Sequence, residues 1–274
     1  MAIALWATLA TVGLQLSQVP PFLLVGMALT LGSVCGVRWI KDWNVQVSTL
    51  ALGVYGLFGY HFFLFMAFRN APPVEAKLIN YLWPLLIVIL SPVFLKHYTL
   101  NSRHVIAAAL GFSGAFLIVT GGQLSLFSIN WLGYTFAGIA AFMWASYSLL
   151  SKRVAPFPTG AVGLFCLVSG GLAIVCHVLL ESPYTLESKD ILPLFFLGLG
   201  PMGAAFYLWD KSLKTGDPRI IGSLSYLTPM LSTLLLVVSG GGQFTWVTLA
   251  SMALIISGAS IGTAANKYVP NSSP

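Results

Sequence analysis

Charged residues are scarce in this chain. Its 274 residues include 13 Lys or Arg and 7 Asp or Glu, so that 7% are charged while 57% are hydrophobic. An ordinary soluble domain is about 25% charged, and this chain has too little polar surface to coat a globule in water. The composition therefore excludes a soluble enzyme and a disordered chain, and it indicates that lipid surrounds most of the protein.

Cysteine is scarce as well. The three cysteines, Cys35, Cys166 and Cys176, all lie inside apolar runs. The chain contains no CxxC pair and no His/Cys cluster with the spacing of metal ligands. We therefore expect no disulfide, no metal site and no cofactor.

Long apolar runs dominate what remains. Segments such as residues 82–95 and 162–180 are apolar almost throughout, without the in/out alternation of a membrane barrel strand. A membrane helix needs about 20 apolar residues, and Pro, Gly and charge divide the chain into segments of that size. The predicted fold is an all-α polytopic membrane protein with ten transmembrane helices. They cover residues 1–16, 20–38, 45–68, 73–95, 103–120, 131–152, 157–180, 191–212, 218–239 and 245–265, with the first taken as a true span rather than a cleaved signal peptide.

Positive charges predict the orientation of these spans. With the N-terminus inside, ten of the thirteen Lys and Arg residues fall at inner helix ends, where short cytoplasmic loops retain positive charge. We therefore expect a multi-pass protein of the inner (plasma) membrane with both termini in the cytoplasm. The net charge of +6 is then a topology signal and a match to anionic lipid rather than a nucleic-acid surface.

The sequence also contains an internal repeat. The word NYLWP at residues 80–84 matches SYLTP at 225–229, and two further words match in the same order. These words fall in spans 1 and 6, 4 and 9, and 5 and 10, so the repeating unit has five helices. We predict an N-terminal half of residues 1–125 and a C-terminal half of residues 126–274. An odd number of spans forces the second half to enter the membrane from the opposite face, which is the inverted repeat of many secondary transporters.

The repeated words carry a family resemblance. LINYLWP (78–84), GSLSYLTP (222–229), AFMWASYSLLSKR (141–153) and the SGA steps at 113 and 257 resemble the EamA branch of the drug/metabolite transporter superfamily. Within that branch they are most similar to YddG-type exporters of aromatic and other neutral amino acids. The resemblance implies two EamA-like halves, export from the cytoplasm, and a central cavity lined by spans 1, 3, 4, 6, 8 and 9.

Polar and aromatic residues in the middle of spans are the candidate site. Polar groups cost free energy when they face lipid, so we expect them to face the bundle interior, where a flat or apolar side chain can pack against the aromatic residues. Pro84 and Pro229 each remove one helical hydrogen bond halfway along a span, so we predict a kink at each. The predicted substrate-binding residues are Trp6, Tyr60, His61, Asn80, Tyr81, Trp83, Trp144, Tyr147 and Tyr226.

These patterns predict an exporter of aromatic and other neutral amino acids that works by alternating access, with uniport left open and no obligate protein partner. The alternative is a proton-coupled exporter of drugs or other metabolites, which would need Glu75 or Asp210 as a buried counter-ion. An enzyme alternative rests on the GxSG word around Ser113 with His177 as a base. Since Ser113 has a counterpart in Ser257 that a nucleophile would not need, we predict a transporter and not an enzyme.

Overall fold

The computed structural model of the protein describes residues 1–123, 130–240 and 243–265. Within these ranges every regular element is a helix and there is no β-strand. The predicted boundary between the halves, at residues 125 and 126, and the predicted inner-end Lys267 lie outside the described residues. The α-helices are, in chain order, α1 (Ala2–Ala7), α2 (Leu9–Gln15), α3 (Pro21–Val34), α4 (Val47–Val54), α5 (Tyr60–Asn70), α6 (Pro73–Asn80), α7 (Trp83–Phe94), α8 (Ser102–Thr120), α9 (Trp131–Arg153), α10 (Val162–Leu180), α11 (Ser188–Leu199), α12 (Ala205–Thr215), α13 (Pro218–Ser225), α14 (Leu227–Val238) and α15 (Trp246–Ala265).

The helices are those of a polytopic membrane protein. Seven helical stretches of the described residues are long and apolar enough to cross a membrane, and an eighth is counted when α3 and the 3₁₀ helix Val37–Trp43 are taken as one bent span. The seven stretches are Val47–Asn70, Pro73–Phe94, Ser102–Thr120, Thr159–Leu180, Ser188–Thr215, Pro218–Val238 and Trp246–Ala265. Helices also occupy the other predicted spans, with α1 and α2 at residues 1–16 and α9 at 131–152. Membrane crossing by all ten stays a prediction.

The predicted second span differs from the structure at its end. Helix α3 ends at Val34, before the predicted residue 38, and the chain bends by 92° into the 3₁₀ helix Val37–Trp43. Trp39 in that segment has φ −111° and ψ 35°, outside the helical region. The segment carries Arg38, Lys41 and Asp42, whose charges favour the membrane surface over its interior, so the helix stops before them.

Four spans are irregular in the middle, and the irregularities occur in pairs. A π-helical segment, Tyr55–Gly59, joins α4 to α5, and a second one, Gly200–Ala204, joins α11 to α12. Helix α6 ends at Asn80, four residues before Pro84, and α13 ends at Ser225, four residues before Pro229. Each proline lacks the N–H that would bond the fourth preceding carbonyl, and its ring crowds that carbonyl. Each proline therefore favours a break in the residues that precede it, where α6 and α13 end.

These paired features share one spacing along the chain. The π-helical segments start at residues 55 and 200, α5 and α12 start at 60 and 205, and α6 and α13 start at 73 and 218. Each pair is separated by 145 residues. Tyr81 and Tyr226 have the same separation, and the Tyr226 hydroxyl donates a hydrogen bond to the Tyr81 backbone carbonyl. The spacing of the repeated words is thus also the spacing of the helix boundaries.

Equivalent helices pack against each other at small residues. A β-carbon added to Gly114 in α8 would lie 2.7 Å from the carbonyl oxygen of Ser251, and one added to Gly258 in α15 would lie 2.6 Å from that of Ala107. Position 114 in α8 corresponds to 258 in α15, and position 107 corresponds to 251. Each contact is therefore the counterpart of the other with the two helices exchanged. Close backbone approach at small residues is the usual basis of helix association in lipid, where burial of apolar side chains gives no preference for protein over lipid.

Helices α3 and α10 make the same kind of contact. A β-carbon on Gly26 would lie 3.1 Å from the Gly170 carbonyl oxygen, and one on Gly170 would lie 2.9 Å from that of Gly26. At one end of this pair the Glu181 carboxylate accepts hydrogen bonds from the backbone N–H groups of Phe22 and Leu23 at 3.0 and 3.3 Å, and it contacts His177 at 2.9 Å. The carboxylate thereby satisfies free N–H groups in the first turn of α3.

The cysteines are free, as the sequence predicted. Cys166 is buried, and Cys35 and Cys176 are half-buried. Ser113, the residue of the enzyme alternative, lies exposed on α8.

Gly114→Ala is expected to lower the midpoint of thermal unfolding, because the added methyl group meets the Ser251 carbonyl and overpacking costs about 1–3 kcal/mol. Gly171→Ala in α10 is the matched control, since nothing lies within 4 Å of its added β-carbon. That change is expected to be neutral or slightly stabilising. Thermal unfolding of the two purified variants in detergent measures the difference, and equal midpoints would contradict the close contact of α8 with α15.

Candidate functional site

Four tryptophans from four helices meet in the centre of the bundle. They are Trp6 of α1, Trp83 of α7, Trp144 of α9 and Trp209 of α12, and each is at most 8% exposed. The ring centroid of Trp6 lies 5.1 Å from that of Trp209 and 5.9 Å from that of Trp144. Trp83 lies 5.6 Å from Trp209. We call these four residues, together with Phe206, the aromatic cluster.

Phe206 completes one side of the aromatic cluster. Its ring centroid lies 5.7 Å from that of Trp144 and 6.1 Å from that of Trp6. Two tyrosines flank Trp144, with Tyr60 at 5.3 Å and Tyr147 at 5.5 Å. Trp144 and Tyr147 share one face of α9 because they are three residues apart. The result is an apolar wall of flat rings with hydroxyl groups at its edge.

His61 lies where this wall becomes polar. Its ring is 4.9 Å from that of Tyr60 and 6.2 Å from that of Phe206, and its Nδ1 is 2.6 Å from the carbonyl oxygen of Leu57. A carbonyl can only accept a hydrogen bond, so Nδ1 carries the proton and, in the neutral ring, Nε2 is an acceptor. Leu57 belongs to the first π-helical segment, and Pro201 of the second accepts a hydrogen bond from Trp6 Nε1 at 3.1 Å. Both π-helical segments thus hold a side chain of the site.

Asn80 brings a second polar group to Tyr60. Its Nδ2 donates a hydrogen bond to the Tyr60 hydroxyl oxygen at 3.2 Å. Its Oδ1 is buried and has no hydrogen-bond partner among the described residues. An unsatisfied buried acceptor costs about 1–3 kcal/mol. Asn80 Oδ1 is therefore available to a ligand N–H group.

Tyr81 and Tyr226 lie at the helix breaks that precede the two prolines. The Tyr226 hydroxyl donates to the backbone carbonyl of Tyr81 at 3.2 Å. The ring of Tyr226 is fully buried in a separate hydrophobic cluster with Ala115, Met230 and Ile255. The structure therefore brings Trp6, Tyr60, His61, Asn80, Trp83, Trp144 and Tyr147 together, while Tyr226 reaches the break at Tyr81 from a different side.

The aromatic cluster contains two residues that the sequence reasoning missed. Trp209 is 2% exposed and stacks on Trp144, and Phe206 contacts three of the predicted residues. Trp209 precedes Asp210 near a helix end, where an aromatic residue is usually part of the interfacial belt. The sequence feature that could have identified Trp209 is its spacing from Phe206. The two residues are about one helical turn apart and so share one face of α12. Tyr207, which follows Phe206 in the chain, points away from the cluster and donates its hydroxyl to the Gly32 carbonyl of α3 at 3.3 Å.

Beside Trp209, a buried ion pair closes one end of the site. The Asp210 carboxylate accepts hydrogen bonds from Lys214 and from Thr159, each at 2.6 Å. The Lys214 ammonium also donates to the Phe157 carbonyl at 2.8 Å and lies 3.8 Å from the centre of the Phe157 ring. Asp210 and Lys214 are four residues apart, so they lie on one face of α12, and their ion pair ties α12 to the chain segment that precedes α10.

Comparison with known families identifies the chain. The model of the EamA-like transporter family matches residues 1–120 and 131–263. The chain belongs to the EamA-like transporter family. Membership makes this chain a membrane transporter and not an enzyme.

Individual relatives agree with the family. An aromatic amino acid exporter YddG of Ancylobacter novellus is 41% identical over 96% of this chain and 94% of its own length. The aromatic amino acid exporter YddG of Escherichia coli is 26% identical over 60% of this chain and 58% of that protein. A solved crystal structure, 39% identical, superposes with a TM-score of 0.93 over 98% of this chain and 96% of that one. Within its family the chain is YddG-like.

Lys214→Met is expected to destabilise the protein by about 3 kcal/mol, because it leaves the Asp210 carboxylate buried without its counter-charge. Lys211→Met, one turn before Lys214 on an exposed face of the same helix, is the matched control and is expected to change stability by less than about 1 kcal/mol. The double change Asp210→Asn with Lys214→Met is expected to recover part of the loss. Thermal unfolding in detergent measures all three, and equal effects of the two single changes would contradict a buried pair.

Proposed function

We propose that this transporter exports aromatic and other large neutral amino acids from the cytoplasm. The observation that carries the proposal is the aromatic cluster, in which four tryptophans and a phenylalanine border two tyrosine hydroxyls, an imidazole and an unsatisfied amide oxygen. An apolar wall with a few convergent polar groups is the usual form of a small-molecule site. The names of the YddG relatives, aromatic amino acid exporters, support the same class of cargo.

The polar groups match the two charges of an amino acid. Because Asn80 Nδ2 donates to the Tyr60 oxygen, the Tyr60 hydroxyl hydrogen remains available to a substrate carboxylate. Asn80 Oδ1 and the His61 Nε2 acceptor remain available to a substrate ammonium. The substrate side chain then packs between Trp83, Trp144 and Tyr147, with Trp6 behind them. Tyr81 lies at the helix break next to Asn80, and the Tyr226 hydroxyl holds the Tyr81 backbone carbonyl in position.

The architecture that we propose is two inverted halves of five spans, residues 1–125 and 126–274. The spacing of 145 residues between equivalent helix boundaries and the two-fold exchange of contacts at Gly114 and Gly258 support it, as do the two segments matched by the family model. Two-fold exchange of contacts is the signature of an isologous interface. Inverted halves that rock about a central site give alternating access, and the breaks before Pro84 and Pro229 supply bending points.

The rings of the aromatic cluster touch one another, so a substrate side chain has to separate them. On one side of the cluster Asp210, Lys214 and Thr159 hold α12 against its neighbours. With the orientation given by Lys and Arg, that side faces the cytoplasm, and the start of α6 faces the periplasm. Entry from the cytoplasm then requires the Asp210 contacts to open.

Export of lipophilic cations is the competing function. It would need a carboxylate free to pair with the cargo, and Asp210 is the buried acid nearest to the aromatic cluster. Its Oδ1 has no partner among the described residues, but Lys214 already neutralises its charge. Glu75 is hydrogen-bonded to the Tyr134 hydroxyl. Each carboxylate already has a partner within the protein, and this favours a neutral cargo over a cationic one.

Counterflow into liposomes containing the purified protein tests the function. Saturable exchange of labelled phenylalanine without an imposed pH gradient, with competition from tryptophan, leucine and methionine and none from aspartate, is the expected result and favours uniport. Exchange of ethidium without exchange of amino acids would replace this proposal with cation export.

Trp144→Ala and His61→Ala are each expected to reduce the exchange rate at least several-fold, because one removes the central ring of the apolar wall and the other removes a polar contact. Trp131→Ala, which is on the same helix and 74% exposed, and His97→Ala in an exposed turn are the controls and are expected to retain full exchange. Unchanged exchange in both site variants, with equal amounts of folded protein, would remove the assignment of the site.

Cysteine labelling tests the orientation. In intact cells a membrane-impermeant maleimide is expected to label Ser182→Cys, in the exposed segment after α10, and not Ala155→Cys, in the exposed segment after α9. Broken cells are expected to show labelling of both, and the unaltered protein gives the background from its native cysteines. The opposite pattern in intact cells would reverse the proposed topology.

A further inference from the structure

A cleft lies along α6, on the side of the bundle where that helix begins. Its volume is about 380 Å³, which is within the range of small-ligand pockets. It extends from Tyr81, at the break after α6, to Pro73 at the start of that helix. Its walls come from α2, α6, α8 and α14 and include Ala10, Lys77, Ile118, Pro229, Ser232 and Thr233.

Lys77 gives this cleft a positive charge. Its ammonium group forms no hydrogen bond and no ion pair with any part of the chain that the structure describes. The nearest acid in the sequence, Glu75, faces away from the cleft and is hydrogen-bonded to the Tyr134 hydroxyl of α9. No other charged residue lines the cleft among the described residues. The charge of Lys77 is therefore available to an anionic ligand.

Two residues that line the cleft carry hydroxyl groups that can add to that attraction. The hydroxyls of Tyr81 and Ser232 make no hydrogen bond within the described residues, so both hydrogens are free. Thr233 differs, because its hydroxyl already donates to the Pro229 carbonyl at 2.9 Å. A carboxylate accepts hydrogen bonds and donates none. An ammonium and two free hydroxyls are therefore suited to a carboxylate.

Tyr81 connects this cleft to the substrate site. It follows Asn80, which is hydrogen-bonded to Tyr60 at the aromatic cluster, and it lies four residues, about 6 Å of helix rise, from Lys77. A molecule leaving the polar edge of the aromatic cluster next to Tyr81 thus reaches Lys77 within one helical turn.

We propose that the cleft is a second binding site, in which Lys77 holds the carboxylate of the transported amino acid after it leaves the aromatic cluster. This inference rests on the proposed function. The site selects for a carboxylate on an apolar body, and it does not recognise aromatic amines or alcohols that lack one.

Transport kinetics from the cleft side test the site. Lys77→Gln is expected to raise the half-saturating concentration of phenylalanine at least about tenfold, since a hydrogen bond to a charged group is lost. Lys77→Arg is expected to stay within about threefold of the unaltered protein, because it keeps the charge. Lys189→Gln is the matched control, since Lys189 is exposed, as Lys77 is, but is paired with Glu187 at 2.9 Å and lies outside the cleft. Unaltered kinetics in Lys77→Gln, in a protein that exchanges phenylalanine, would overturn the proposal.

Chemical modification of a cysteine at position 77 gives a second test, and its labelling readout does not depend on transport. Lys77→Cys is expected to react with aminoethyl methanethiosulfonate, which restores a positive charge and recovers phenylalanine exchange, whereas the sulfonatoethyl reagent does not. Phenylpropionate is expected to slow the labelling of this cysteine in detergent, and phenylpropanol is not. Equal effects of the two compounds, or protection that follows the content of anionic lipid instead, would overturn a carboxylate site. Because labelling is read without transport, failure of the exporter assignment remains distinguishable from failure of this site.

Discussion

The fold depends on the close approach of helix backbones at small residues. In lipid, apolar side chains gain nothing by leaving their surroundings for another helix, so association relies on dense packing between complementary surfaces. Gly114 and Gly258 allow α8 and α15 to meet at carbonyl distance, and Gly26 and Gly170 do the same for α3 and α10. With these pairs fixed at the periphery, the remaining helices converge on the centre, and their large rings meet there rather than at the lipid surface.

The same helices that build the site are those that depart from regular geometry. The π-helical segments lie in the spans that carry His61 and Phe206, and the break at Tyr81 lies between Asn80 and Trp83. In an irregular segment the backbone hydrogen bonds depart from the regular helical pattern, and some carbonyls there accept hydrogen bonds from side chains. The irregular segments present the carbonyls of Leu57, Tyr81 and Pro201, which fix an imidazole, a phenol and an indole. The same irregular segments therefore supply contacts of the candidate site and positions where the helices can bend. Single-turn π-bulges are frequent at functional sites.

The sequence predicted most of the helices and many residues that the structure brings together in the candidate site, because apolar run length and helical spacing are local properties. Trp144 with Tyr147, and His61 with Tyr60, were identified from their positions within a span. Trp209 was missed because its position near a helix end does not show whether its side chain points to the lipid or to the centre of the bundle. Tyr226 was grouped with the substrate residues because it repeats Tyr81 in the sequence, although its ring packs among Ala115, Met230 and Ile255. The end of α3 was predicted at residue 38 rather than at Val34, although the charges of Arg38, Lys41 and Asp42 are visible in the sequence.

The pairing of His61 with Phe206 has a consequence for how such a site arises. The two positions are equivalent in the repeat, 145 residues apart, and their ring centroids lie 6.2 Å apart in an edge-to-face arrangement. A duplicated unit begins with the same residue at both positions and presents the same group to both sides of a central site. Divergence of this pair into an imidazole and a phenyl ring makes one side of the site polar and the other apolar. The proposed cargo, an amino acid, has two ends that differ in the same way.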